Sequence, residues 1–202
     1  MAEQQRLYSG EPLPVGSKGR LSSGWWGMWA VIVTEAALFA YLLFSYFYVG
    51  AQQVGQWPPG GAPSLRLAGP GTLVLLLGSA TMWWGERGIR AGRRGQLVAG
   101  LLMSIGLALA FITLEGTEWL HEPFSLSSSA YGSLYFTVTG FHLLHVAVGV
   151  LMLALVTVWT LLGYFGKRRH STVSIAVIYW HFVAAVWVAV FLSLYVLPRF
   201  VR

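Results

Sequence analysis

The stretch WWGMWAVIVTEAALFAYLLFSYFYV, Trp25 to Val49, decides the fold: it is unbroken by any basic residue and carries one carboxylate, Glu35. About 20 mostly apolar residues, rising 1.5 Å each in a helix, cross the roughly 30 Å hydrocarbon layer of a bilayer. The stretch is therefore read as a transmembrane helix. Four further runs qualify, at about Gly71–Gly85, Gln96–Leu114, Ala130–Tyr164 and Thr172–Leu197. The second is the shortest. The fourth is too long for one untilted crossing, and the fifth is closed by Pro198, which cannot continue a helix. With no water in the bilayer core, backbone N–H and C=O groups must be satisfied within each segment, which selects helices. The alternation of a membrane barrel is missing. The expected architecture is an all-α membrane protein, a bundle of five transmembrane helices.

Composition agrees. Apolar residues make up 56% of the 202, charged residues only 10%, and mean hydropathy is +0.63. A soluble domain is usually about a quarter charged, so the apolar excess belongs against lipid. There is no cysteine, which excludes a disulfide framework, thiolate-bound zinc and cysteine-ligated iron–sulfur clusters. The net charge of +6 does not point to nucleic acid, because the basic residues form short clusters between apolar runs, where they bias topology. Residues 1–23 are polar, without the apolar core of a signal peptide, and are expected to form a mobile tail ahead of a single transmembrane domain at 24–202.

Orientation follows from the Lys and Arg distribution. Arg6, Lys18 and Arg20 in the tail, Arg87, Arg90, Arg93 and Arg94 after the second run, and Lys167, Arg168 and Arg169 after the fourth share one side. Only Arg66, Arg199 and Arg202 fall on the other. The positive-inside bias places the N-terminus inside and the C-terminus outside, as an odd number of spans requires. Trp25, Trp26, Trp83, Trp84, Trp119 and Trp159 fall near predicted helix ends, at headgroup depth, whereas Trp180 and Trp187 read as packing residues. Arg87, Arg90, Lys167 and Arg168 are candidates for anionic lipid headgroups. The segment Gly50–Pro70, with Trp57-Pro58-Pro59-Gly60-Gly61-Ala62-Pro63, is expected to be a compact external connection. Glycines inside the runs, Gly78, Gly100, Gly106, Gly140 and Gly149, are expected to let helices approach closely.

An ionisable group at the bilayer centre costs about 2.5–3.5 kcal/mol on insertion scales, so each needs a partner or a purpose. Glu35 reads either as a proton-exchanging or lipid-contacting carboxylate, or as a neutral side chain hydrogen-bonded to a neighbouring helix. His142 and His145 lie three apart on the fourth run, and His181 lies on the fifth. Facing histidines are how b-type haems are held. Here the depths conflict, so packed, hydrogen-bonded structural histidines are expected. Glu115, Glu118, His121 and Glu122 cluster at the end of the third run, the three carboxylates on one face if the helix continues. A metal there is conceivable chemistry, but a hydrated helix end is the commoner outcome, and no metal site is assigned. No nucleophile–base arrangement is present, and no catalytic residue is assigned.

Two blocks go further. Ala130-Tyr131-Gly132-Ser133-Leu134-Tyr135-Phe136-Thr137-Val138-Thr139-Gly140-Phe141-His142-Leu143-Leu144-His145-Val146 and Tyr179-Trp180-His181-Phe182-Val183, with Val186-Trp187 following, resemble subunit III of haem-copper cytochrome and quinol oxidases. That family's first retained Glu falls on Glu35, its Glu-aromatic pair on Glu118-Trp119 ahead of Pro123-Phe124, and the Trp57-Pro58-Pro59 loop is similar. The resemblance runs from about Gly24 to the end and fits the short, five-helix prokaryotic form. Two positions depart from the pattern: Ala184 stands where an Asp is common, and Glu115 where a Gln is common. The resemblance implies a non-redox, non-catalytic accessory subunit of a proton-pumping terminal oxidase in a bacterial cell (inner) membrane. It implies contacts with catalytic subunit I, with subunit II and a small subunit IV, and with bound phospholipid, haem and copper residing in the partners. It further implies support of proton uptake and of the complex's lifetime. The alternatives are an accessory subunit of a nitric-oxide reductase, and a small membrane cytochrome or transporter.

Overall fold

A computed structural model describes residues 23–53, 55–167 and 170–200. The N-terminal tail to residue 22 and the headgroup candidate Arg168 lie outside the described residues. Five long helices follow one another: α1 (Ser23–Gln52), α2 (Leu65–Arg90), α3 (Arg94–His121), α4 (Ala130–Leu161) and α5 (Ser171–Phe191). All five are long and apolar enough to cross a membrane, α5 counting with the short turns that follow it to Arg199.

Several boundaries differ from those read in the sequence, each for a local reason. α2 begins at Leu65 rather than near Gly71 and runs to Arg90, so the preceding connection is shorter than expected. Ser64 caps it, its hydroxyl accepting from the Arg66 N–H at 3.2 Å. Pro70 lies inside the helix, beyond its first turn, and forgoes the ladder bond its N–H would have made. α3 continues past Leu114 to His121, and Glu122 caps it through its N–H to the Glu118 carbonyl. α4 starts at Ala130 as expected, where the Ser129 hydroxyl accepts from Gly132 N–H at 3.0 Å. It stops at Leu161, before Tyr164, because Gly163 adopts φ +83°, a left-handed conformation that ends helices.

α5 does not end simply at Pro198. It widens into a π turn over Leu192–Val196, where the Leu197 N–H reaches the Leu192 carbonyl five residues back, and then tightens into a 3₁₀ turn over Leu197–Arg199. Arg199 closes this end, donating to the Tyr195 carbonyl and to the Pro63 carbonyl of the α1–α2 loop.

α2 and α3 form the most intimate pair, joined by the three-residue turn Ala91–Arg93. Without a water-driven hydrophobic force between helices in lipid, close backbone approach and interhelical hydrogen bonds hold such pairs. A Cβ on Gly100 would lie 2.8 Å from the Gly85 Cα and 2.8 Å from the Thr81 carbonyl. Beside it the Ser104 hydroxyl contacts the Gly78 carbonyl at 2.9 Å and the Thr81 hydroxyl at 2.9 Å. Gly149 of α4 admits the Trp180 ring of α5, a Cβ there coming within 2.8 Å of it. Gly106 is different: among the described residues nothing lies within 4 Å of its Cβ position, so it packs against none of them.

The core runs through α2, α3, α4 and α5, with Leu75, Met82, Leu101, Phe111, Trp180 and Trp187 fully buried. The Trp187 indole donates to the Thr72 hydroxyl at 2.9 Å, tying α5 to α2. α1 is the outlier. It packs on α4 and α5 through the stripe Ile32, Phe39 and Tyr46, spaced by seven, and leaves much of its apolar surface exposed. Among the predicted interface tryptophans, Trp119 is instead a half-buried bundle contact, donating to Thr139 at 3.2 Å.

Gly100→Ala should lower the thermal unfolding midpoint of the chain in detergent micelles, corresponding to a loss of about 1–3 kcal/mol from overpacking, whereas Gly106→Ala should leave it within about 0.5 kcal/mol. Helix-band circular dichroism on heating measures both.

Candidate functional site

The seven-residue stripe of α1 places Glu35 beside it, one turn from Ile32 and one from Phe39. The carboxylate faces α4, where Glu35 Oε2 lies 3.0 Å from Nε2 of His145. The other ring nitrogen, Nδ1, is 2.6 Å from the Phe141 carbonyl one turn back. A carbonyl can only accept, so Nδ1 carries a hydrogen. Nε2 then either accepts from a neutral Glu35 carboxyl or donates to a carboxylate. Both arrangements contain the same single proton shared by the pair, which can cross a 3.0 Å gap without changing the net charge of the site. The Glu35 side chain keeps 32% of its accessibility and His145 12%, so the pair borders the outside of the bundle. The Tyr179 hydroxyl donates to the His145 carbonyl at 3.3 Å, and the Phe39 ring packs edge-on against the imidazole at 5.1 Å.

The two histidines three apart on α4 separate in role. His142 turns inward, fully buried, stacked on Trp187 at 4.8 Å and met edge-on by Phe111 at 5.7 Å. It is packed as expected, but not hydrogen-bonded as expected: among the described residues neither ring nitrogen meets a partner. Three aromatic rings, Trp187, Phe111 and Phe39, surround it and offer no acceptor. His181 of α5 contacts the Ser79 hydroxyl of α2 through Nδ1 at 2.5 Å. Protein contacts thus occupy both nitrogens of His145 and one of His181. Among the described residues no three His, Asp or Glu side chains converge on a metal-sized centre.

Glu118 is buried near the end of α3. One of its oxygens accepts from the Tyr135 hydroxyl at 3.3 Å, and Tyr135 contacts the Tyr195 hydroxyl at 2.8 Å. α3, α4 and the π turn after α5 meet there. Glu115 is buried one turn earlier. Outside the helix, burial pushes the Glu122 carboxyl above its ordinary pKa. The tyrosines were not singled out from the sequence, although Tyr131 and Tyr135 sit at i and i+4 in the quoted block, a spacing that puts them on one face.

At the opposite end, Glu86 was also passed over. It is 8% exposed, accepting from the Ser174 hydroxyl of α5 at 2.7 Å and from Arg90 at 2.7 Å. Arg90, a headgroup candidate, is therefore engaged by a carboxylate four residues back. Arg87 lies over the Trp83 ring at 3.6 Å from its centroid, and Lys167 is exposed in the α4–α5 connection.

His145→Leu removes the partner of Glu35 and should cost about 1–3 kcal/mol of stability. Glu35→Gln, which can still donate to Nε2, should cost under about 1 kcal/mol. Equal losses in the two variants, measured as unfolding midpoints in micelles, would contradict the shared-proton geometry.

Comparison with known proteins bears on what such a bundle belongs to. The family model described as cytochrome c oxidase subunit III matches residues 18–198. Among similar curated proteins, each named cytochrome c oxidase subunit 3, that of Marchantia polymorpha is 34% identical over 177 residues, covering 84% of this chain and 67% of the relative. That of Arabidopsis thaliana is 35% identical over 177 residues, with the same coverage of 84% and 67%. The human protein is 32% identical over 199 residues, 95% of this chain and 75% of its own length. The match takes in all five helices, the Glu35–His145 pair and the Glu118–Tyr135–Tyr195 cluster, and the chain belongs to the cytochrome c oxidase subunit III family.

Proposed function

We propose that the chain is a non-redox accessory subunit of a proton-pumping terminal oxidase, one that stabilises the catalytic subunit, binds lipid and supports proton uptake. The observation that carries this reading is the Glu35–His145 pair, 3.0 Å across the α1–α4 interface. An intramembrane carboxylate that keeps partial exposure is positioned to exchange a proton or meet a partner.

In this reading the N-terminus faces the inside and the C-terminus the outside of a bacterial cell membrane, following the positive-inside bias of the sequence. The catalytic subunit I, with subunit II and a small subunit IV, forms the assembly, and the haems and copper are carried there. Lys167 and Arg87 serve anionic headgroups at the inner surface. Arg90 contributes less, because its guanidinium is already paired with Glu86.

Purification through a tag on this chain tests the proposal. The catalytic oxidase subunit, with its haem absorption, should co-purify, while the chain alone should show no b-type spectrum. Stoichiometric haem on the isolated chain, or a nitric-oxide reductase as the co-purifying enzyme, would overturn it. In the purified complex Glu35→Gln should leave assembly intact and shorten the number of turnovers before inactivation, read as the decay of oxygen consumption.

A further inference from the structure

The end of the bundle that carries the α1–α2 and α3–α4 loops holds a half-open cavity of about 730 Å³. Its lining includes Pro63, Arg66, Glu118, Glu122, Phe124 and Tyr131. Glu118 is only 4% exposed and uses one carboxylate oxygen on Tyr135, while the buried Oε2 meets no hydrogen-bond partner among the described residues. The Tyr131 hydroxyl, on a residue 3% exposed, also lacks a partner. One turn behind, Glu115 is 2% exposed with Oε1 unpartnered. Among the described residues the ion pairs are Arg90–Glu86 and His145–Glu35, and neither involves this cluster. A buried carboxylate oxygen without a partner is costly, so the floor of the cavity offers acceptors in excess of donors.

The complement of such a floor brings N–H donors and positive charge. A bare metal ion is the wrong size for the space, which falls in the range of small-molecule sites, roughly 300–1,000 Å³. The carboxylates also do not converge on a metal-sized centre. The walls are apolar and aromatic, with Phe124 and Tyr131 edge-to-face at 5.2 Å, surfaces that attract a cation through the ring face and an alkyl chain through burial. Arg66 is exposed at the rim, where it disfavours a second positive charge on the same ligand.

We propose that this cavity binds an organic cation, a primary ammonium on a short alkyl chain, with the ammonium donating to Glu118 Oε2 and Glu122 and the alkyl part lying against Phe124 and Tyr131. The ammonium arrives either on a free amine or on an aminophospholipid headgroup.

The test uses the full chain in maltoside micelles. Propylammonium chloride should raise the thermal midpoint saturably, by about 5 °C at a hundredfold excess over Kd, and propanol or sodium chloride at equal concentration should not. Glu118→Gln, which keeps an acceptor for Tyr135, and Glu122→Gln should each weaken binding at least tenfold. Phosphatidylethanolamine against phosphatidylcholine separates the sources. A response to the free amine assigns a soluble ligand, a response to phosphatidylethanolamine alone assigns a headgroup, and either sustains the cation site. An equal response to sodium chloride overturns the proposal. So does an unchanged response in both variants, saturation by calcium chloride below the amine concentration, or no response to any amine.

Discussion

Inside a bilayer a polar atom has no water to fall back on, and the arrangement of this bundle follows from where its polar atoms find partners. Each interior helix is tied to another by at least one such link. Ser104 joins α3 to α2, Trp187 joins α5 to Thr72 of α2, Ser174 and His181 join α5 to Glu86 and Ser79 of α2, and Glu35 joins α1 to α4. None is worth much alone, since interhelical hydrogen bonds in membranes average well under about 2 kcal/mol. Their effect is on register: apolar side chains slide past one another at little cost, and a hydroxyl that must meet a given carbonyl does not.

The same constraint explains why α1 stands apart. Its buried stripe is one residue in seven, and the Glu35–His145 pair ties it to α4. The α2–α3 hairpin, with Gly85 against Gly100, is the most closely packed part of the molecule. Glu35 thus sits on the long helix that buries the fewest side chains.

Much of this was legible in the sequence. Five apolar runs gave five helices, because a bilayer imposes both length and secondary structure on any segment that crosses it. Trp180 and Trp187 were recognisable as core residues from their depth. The ends were harder. α2 and α3 extend beyond their most apolar windows, since helical hydrogen bonding continues wherever a cap is available, and hydropathy does not register Ser64 or Glu122 as caps. Glu35 could be identified as needing a partner, but hydropathy does not say which helix lies beside it. Its partner, His145, emerged only from packing. Tyr135 and Tyr195 were missed because a tyrosine in an apolar run looks like any other aromatic residue. Nothing local indicates that residues sixty apart share a hydrogen bond. His142 shows the opposite error: a polar side chain need not be satisfied when aromatic neighbours close around it first.

The π turn after α5 has a consequence of its own. A helix that closes one bond across five residues instead of four has taken in one residue beyond the α register, and every side chain after it is rotated by about 100°. The turn itself carries Tyr195, whose hydroxyl meets Tyr135, and Arg199 follows it to reach the Pro63 carbonyl. The closure of this end of the molecule is therefore encoded as a count of residues. Loss of one residue between Leu192 and Val196 would preserve composition and hydropathy almost entirely, yet it would turn the tyrosine away from the carboxylate cluster and unfasten the loop that covers it.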